Sequence, residues 1–308
     1  MNSGKGNVLV TVLIMMAFLT SMVIVIYERS TASYRGVLDL QADNQGGIYA
    51  GTALTALRAL MEYDNPEYDD PTDQWNMIPS IPVKGGFISV TVRPADDRLP
   101  VNALVNTDND TKRRMEKAFE TMYASLGYDD EMWKSLKDWV STSTAIPLSQ
   151  TIPGAVFNPG GNSYTAKNAM LSSLYEIRLI PGYSGVYKDI IKHLSLGELE
   201  PKININFADN LTIQSFLPEL APYVDNIIAE REKEPFRNKN ALYNILGSGN
   251  RDIYTATLPF FDVKSTLFYV KIEVDILDTL QYYHILMRRN GSRFTVIRYI
   301  EGRGLDYF

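Results

Sequence analysis

Residues 8–26 form an unbroken run of 19 residues without a charge, in which Thr11, Thr20 and Ser21 supply the only hydroxyls. As a helix rising about 1.5 Å per residue, such a run matches a hydrocarbon core roughly 30 Å thick. Only MNSGKG precedes it, with one positive charge at Lys5. A basic residue ahead of the apolar run keeps the leader cytoplasmic and sends the rest of the chain across. No proline follows between residues 28 and 61, and Val37, Leu38, Ala42, Tyr49, Ala53, Leu54, Leu57 and Leu60 recur at threes and fours. That spacing predicts a helix, with Gly46-Gly47 as a soft spot inside it. The expectation is one long helix, its first half in lipid and its second half against a water-soluble domain.

Three readings of this N-terminus compete. A secretory signal peptide needs a short apolar core and a small-residue cleavage site beyond it, and Tyr27-Glu28-Arg29 is a poor match. A plain signal anchor is the second. The third is a prepilin-type leader, cut after Gly6 on the cytoplasmic side, which leaves the apolar helix on the mature chain. The long helical continuation favours the third, because pilins and pseudopilins are built that way.

Composition narrows the function. The chain has 308 residues, 45% hydrophobic and 21% charged, enough for a sizeable core. The net charge of −6 argues against a nucleic-acid-coating protein, since phosphate neutralisation by basic residues supplies most non-specific affinity. There is no cysteine, and His193 and His284 are the only histidines. Disulfides and thiol chemistry are excluded, and a His-rich metal site or Ser-His catalysis has little material. No G-x-S-x-G, phosphate-loop or paired-His motif occurs, so no enzyme is expected.

Prolines 66, 71, 79 and 82 mark residues 65–82 as a loop. Its Asp64, Glu67, Asp69, Asp70 and Asp73 could bind a cation but read first as solvated acids. Residues 87–92 alternate as a strand. Residues 112–126, with Met115, Ala118, Phe119 and Met122 on one face, and 130–140, with Met132, Leu136, Trp139 and Val140, read as helices. A Ser/Thr/Pro/Gly-rich loop fills 141–162, and short helices fill 171–194 and 212–246. Strands are expected at 253–263, 267–276, 280–288 and 294–300. Between them, Asp278-Thr279 and Asn290-Gly291 fall at turns, and Asn-Gly suits a type I′ hairpin. Strands on both sides of a helical block imply an α+β fold.

Two segments have helix-hairpin-helix character, one around Pro181-Gly182-Tyr183 and one around Leu217-Pro218-Glu219. DNA-binding versions hold a phosphate on backbone N–H groups at a hairpin glycine. Glu219 stands at that place in the second copy and would repel phosphate, so protein contacts are the favoured use. Asn204 and Asn206 suit backbone bridging, and Arg178 and Arg231 are expected to pair with acids. Asn106, Asp108 and Asp110 begin like a calcium loop, but Thr111 and Lys117 occupy the glycine and bidentate-glutamate places. Asp110 or Thr111 is the expected helix cap there. The adjacent pairs Asp69-Asp70 and Asp129-Asp130 read as solvated.

Taken in order, these pieces resemble the type II secretion minor pseudopilin K family (general secretion pathway protein K). They are the Gly6-terminated leader, Tyr49-Ala50 with Ala53-Leu54, Leu99-Pro100-Val101-Asn102-Ala103-Leu104, and Leu136-Lys137-Asp138-Trp139. Further on come Leu174-Tyr175-Glu176-Ile177-Arg178 before Pro181-Gly182, then Ile203-Asn204-Ile205-Asn206, and final strands ending at Arg288-Arg289. The resemblance covers nearly the whole chain. It implies a pilin-like long N-terminal helix packed on an antiparallel sheet, with a large inserted all-α domain of helix-hairpin-helix (SAM-like) type. The corresponding division is a leader at 1–6, a transmembrane half at 7–27 and a first pilin-like part at 28–103. The inserted helical domain follows at 104–249, and C-terminal antiparallel strands at 250–308.

The family also implies the processing site. Cleavage after Gly6 makes Asn7 the first mature residue and Thr11 the fifth, where most pilins carry glutamate. Protein K lacks that acid, as suits a subunit with no neighbour ahead of it at the filament tip. Asn7 is an unusual first residue for methylation. Family members carry a calcium-associated acidic stretch after the Asp-Trp segment, but 141–162 contains no acid. No cofactor is expected, and a calcium ion stays open with its site unassigned. The implied partners are minor pseudopilins I and J, other pseudopilins and prepilin peptidase, at the bacterial inner membrane with the soluble part periplasmic. The implied role is to start or cap the pseudopilus during export of folded proteins across the outer membrane. Two rivals stand beside it: a membrane-anchored helix-hairpin-helix module for DNA uptake, and a minor pilin of a type IV pilus.

Overall fold

The computed structural model describes residues 4–64, 67–141 and 166–302, with side chains from residue 10 onward. The chain begins with a single helix, α1, Gly4–Tyr63. Sixty residues at about 1.5 Å each give a rod near 90 Å. The helix runs through Gly46-Gly47 without a break, so the expected soft spot is instead part of a packed face.

Among the described residues, nine short and long strands follow in chain order. They are β1 Ile81–Val83, β2 Gly86–Pro94, β3 Leu99–Pro100, β4 Leu194–Ser195, β5 Ile203–Asn204, β6 Phe261–Asp262, β7 Leu267–Ile276, β8 Thr279–Asn290 and β9 Arg293–Glu301. The main sheet has the order β1-β2-β7-β8-β9 and is antiparallel throughout. Two-residue parallel pairs β3·β4 and β5·β6 lie outside it.

Period-2 alternation gives each sheet face its own core. Ile88, Val90 and Val92 of β2, with Val270, Ile272 and Val274 of β7 and Tyr283, Ile285 and Met287 of β8, bury against Ala50, Ala53, Leu57 and Met61 of α1. The other face turns Leu267, Tyr269 and Leu286 into a second and larger core. That core belongs to the helical block. It opens with α2, Asn109–Ser125, and α3, Asp130–Val140. Met115, Ala118, Phe119 and Met122 of α2 are all fully buried, as their spacing predicts. In α3 Trp133, Leu136, Trp139 and Val140 are buried, while Met132 is half-buried. The cap of α2 is Asp108, whose carboxylate accepts from Thr111 N at 2.8 Å, rather than the expected Asp110 or Thr111.

Three expectations fail here. Residues 253–263 are not a strand; Arg251–Thr257 is a helix and Leu258–Phe260 a 3-10 turn, leaving only Phe261–Asp262 extended. The β-branched residues there disfavour helix through stiff χ1 angles. Their hydroxyls offset this, since Thr255 and Thr257 donate to the Arg251 and Ile253 carbonyls at 2.9 Å. Tyr254 also packs edge-on against Tyr243 with ring centroids 5.3 Å apart. Second, the turn with positive φ at both central residues is Leu277-Asp278 (49° and 61°), not Asn290-Gly291. In the second hairpin Asn290 pairs with Arg293, so Gly291-Ser292 form the turn with glycine at its first place, as a II′ turn requires. Third, the first helix-hairpin-helix segment is a six-residue 3-10 turn, Leu174–Leu179, and a four-residue helix, Tyr187–Ile190. The loop expected at 141–162 lies, apart from Ser141, outside the described residues.

Candidate functional site

The first half of α1 offers the chain's most unusual surface. Its apolar window has a mean hydropathy of 2.5 and none of it is buried. Phe18, Leu19 and Val23 are each more than half exposed. Water penalises such a surface in proportion to its area, and a soluble core helix would bury its stripe. The window is long and apolar enough to cross a membrane, as an inner-membrane anchor would. Thr11 sits within it and is exposed. Gly6 and Asn7 lie on the first turns of the same helix, ahead of the window.

Burial starts at Ala42 and continues at Gly46, Ala50, Ala53, Leu57 and Met61, a stripe at threes and fours. Gly46 has a specific reason to lack a side chain. A Cβ there would fall 1.6 Å from Oε1 of Gln281 on β8. Gln281 cannot easily move aside, because it donates to Asp43 at 2.9 Å and accepts from the Tyr283 hydroxyl at 2.7 Å.

Where α1 ends, the two cores are joined by a buried ion pair. Asp69 is fully buried and accepts from Arg289 Nη1 of β8 and from Ser265 N, each at 2.6 Å. Arg289 also bonds the Ser265 carbonyl at 3.2 Å and lies 5.0 Å from the ring centres of Phe268 and Phe294. The Asp69 carbonyl accepts from Asn206 Nδ2, which also donates to Phe236 O at 2.9 Å, while Asn206 Oδ1 accepts from Phe236 N. Asn204 accepts from Asn206 N and donates to Ser265 Oγ. Both asparagines therefore bridge backbone, as expected from sequence. The post-helix loop, the sheet and the helical block meet at Asp69. Asp69 and Asp70 are thus not solvated acids, which corrects that reading of the loop.

Burial pushes the Asp69 carboxyl up, and Arg289 pulls against it. Asp73 is pushed up to about 7, first by burial and then by the neighbouring carboxylates of Asp64, Asp70 and Asp69. Carboxylate oxygens of Asp64, Asp69 and Asp73 lie within 4.8 Å of one another. The donor set does not fit a calcium ion, which takes six to eight oxygens. Asp69 is engaged by Arg289, Asp64 Oδ2 accepts from Trp75 Nε1 and Asp73 Oδ2 from Asp70 N. The sequence 106–110 is likewise occupied locally. Asn106 accepts from Asp108 N, Asp108 caps α2, and Asp110 pairs with Arg113.

The hairpins carry structural roles. Glu219 makes a two-pronged ion pair with Arg114 of α2, at 2.7 and 3.0 Å, and Arg114 lies over Phe260 at 4.3 Å. Gly182 holds φ +83°, which brings Tyr183 inward. There its buried hydroxyl meets Tyr123 at 2.8 Å and donates to Met132 O. Arg178 stacks on Tyr175 and Tyr187, and Arg231 donates to the Ile205 and Ala208 carbonyls, both at 2.6 Å. The expected acid partners for these two arginines are replaced by rings and by backbone.

No protein-family model matches the chain. Type II secretion system protein K of Pectobacterium carotovorum subsp. carotovorum is 22% identical over 96% of this chain and 95% of its own length. The crystal structure of the GspK–GspI–GspJ complex from the type 2 secretion system of enterotoxigenic Escherichia coli contains a matching chain. It superposes with a TM-score of 0.65 at 18% identity, over 90% of this chain and 99% of that one. The sequence likeness to protein K spans 96% of this chain, and the likeness of fold 90%. The K-like fold places the long helix, the five-stranded sheet and the helical block in one order.

Sequence reasoning missed the joint at Asp69 and Arg289. The two lie 220 positions apart, and no local pattern links them. The one available signal was an acid run in a loop whose prolines and aromatics suited burial.

Proposed function

We propose that this chain is a minor pseudopilin at the tip of a type II secretion pseudopilus. It would be held in the bacterial inner membrane by residues 8–26, with its soluble part in the periplasm. The observation that carries the reading is the division of α1. One half is apolar and buries nothing, and the other half packs on an antiparallel sheet that also bears a broad helical block. A chain so built can join a filament through its helix while its upper mass blocks a further subunit. Thr11 supports the terminal place. A carboxylate at the fifth mature position would be a charge in lipid, costly without a partner amine, and Thr11 brings no such charge.

In this reading prepilin peptidase cuts between Gly6 and Asn7. Minor pseudopilins I and J bind beside α1, and other pseudopilins follow below. The work is steric and mechanical, helping assembly begin and folded proteins leave across the outer membrane. The DNA-uptake reading is less favoured, since Glu219 stands where phosphate would bind and is held there by Arg114. The likeness to protein K over 96% of this chain and 95% of that one supports secretion over a type IV pilus. Co-expression with tagged I and J tests the tip reading. A stable complex that survives detergent extraction is the expected result, and independent elution of all three would overturn it.

A further inference from the structure

The packed half of α1 is not held equally along its length. Residues 44–52 read NQGGIYAGT, and residues 53–62 read ALTALRALME. The second stretch is nearly all strong helix formers, whereas the first carries Gly46, Gly47 and Gly51, and glycine is the poorest helix former after proline. Gly46 is explained by Gln281, which leaves no room for a Cβ. Gly47 and Gly51 have no such reason. A Cβ at either would meet nothing within 4 Å, so alanine would fit there and strengthen the helix. Thr52 and Thr55 add to the softness. Their hydroxyls donate to the carbonyls of Ile48 and Gly51, each at 2.8 Å, and such bonds weaken and bend helices slightly.

Packing follows the same division. In the C-terminal stretch Leu57 and Met61 are buried, and Leu54 and Leu60 pack beside them against the sheet. In the N-terminal stretch Ala42 and Ala50 bury one methyl each and Gly46 none, with Tyr49 half-buried alongside. Apolar burial stabilises in proportion to area, so this contact is much the weaker. A polar catch closes it instead. The Tyr283 hydroxyl donates to Gln281 Oε1 at 2.7 Å, and Gln281 Nε2 donates to the exposed Asp43 at 2.9 Å. From Ile26 to Ala42 the helix rises about 24 Å, and no residue between them is buried. We propose that residues 44–52 are a hinge and Gln281 is its catch. With the catch open this stretch leaves the sheet, residues 53–62 stay docked, and the apolar half of α1 swings against the soluble body. Helices kink at such glycines, and a hinge needs only a few residues that absorb the change in φ and ψ. The hinge belongs to the chain alone and does not depend on a place at a filament tip.

Hydrogen exchange of the full chain in detergent reads local opening stretch by stretch. Backbone amides of residues 44–52 should be protected at least about tenfold less than those of residues 54–61. Equal protection in the two stretches overturns the hinge. Gly47→Ala combined with Gly51→Ala should raise protection of 44–52 by about tenfold or more and leave 54–61 as they were. Unchanged protection of 44–52 in that variant overturns the hinge, since the open space at both positions rules out a clash. Gln281→Met should lower protection of 44–52 alone, and a loss spread evenly over 44–61, or none, overturns the catch. The swing itself is read by distance. The chain has no cysteine, so spin labels on Val37→Cys and Thr295→Cys, both exposed positions, report on one pair of sites. The expected distance distribution is broad, and the two alanine substitutions narrow it. A narrow distribution that the alanines do not change overturns the proposal.

Discussion

The two halves of α1 are one continuous helix with opposite surfaces. In the first half every described residue from Val10 to Ser30 is exposed, and the apolar ones far outnumber the rest. In the second half apolar residues are fewer, but those facing the sheet are buried and a glycine is placed where a strand side chain presses in. Helical propensity does not distinguish the halves. The partner does: one half is shaped for a surface that is uniform and fluid, the other for a fixed set of side chains. The lesson is that exposure of apolar area, more than apolar content, marks the functional end of this helix.

Substitutions can break that contrast. The largest effect is expected at the joint below the packed half. Arg289→Met leaves Asp69 buried and uncompensated and should cost about 3–5 kcal/mol, read from urea unfolding in detergent. Leu57→Ala in the packed half, where Leu57 is 3% exposed, should cost about 3 kcal/mol. Leu19→Ala in the other half should leave the same unfolding curve within about 0.5 kcal/mol. Equal losses at the two leucines would erase the distinction between the halves. Ala17→Arg, near the centre of the apolar run, should cost about 3 kcal/mol of membrane insertion and nothing in the unfolding of the soluble part. Carbonate extraction of membranes separates the two outcomes.

A further effect concerns pH. Asp73 is raised to about 7, so it binds a proton more readily folded than unfolded. Its contribution is fully present below about pH 4, the unfolded carboxyl range, and is lost as pH rises through about 7. Asp209 behaves oppositely. Burial pushes it up, but hydrogen bonds from His193 and Thr212 win and hold it at about 2. Its contribution is present above the unfolded carboxyl value and fades as pH falls toward 2. Asp73→Asn should therefore flatten the loss of stability between about pH 5 and pH 8, and an unchanged slope would show that Asp73 is not the group responsible.

Local periodicity made much of the fold legible. The stripe on α1, the buried face of α2 and the alternation in β2 and β7 each follow from spacing within one element. What escaped depended on partners distant in sequence or on competing local chemistry. Residues 253–263 read as a strand because Ile253, Thr255 and Thr257 are β-branched, and hydroxyl-to-carbonyl bonds and a tyrosine pair reversed that preference. Glu219 stands out locally as an acid at a hairpin, but its partner Arg114 lies 105 positions away. Arg231 reaches backbone carbonyls, which no charge pattern reveals.

The central claim is that the exposed half of α1 stays on the mature chain as its membrane anchor. Its most direct test is the intact mass of the chain after co-expression with prepilin peptidase, recovered from membranes. The account predicts a chain that begins at Asn7 and remains membrane-bound. A mature chain that starts beyond residue 26, or one released in soluble form, would contradict it.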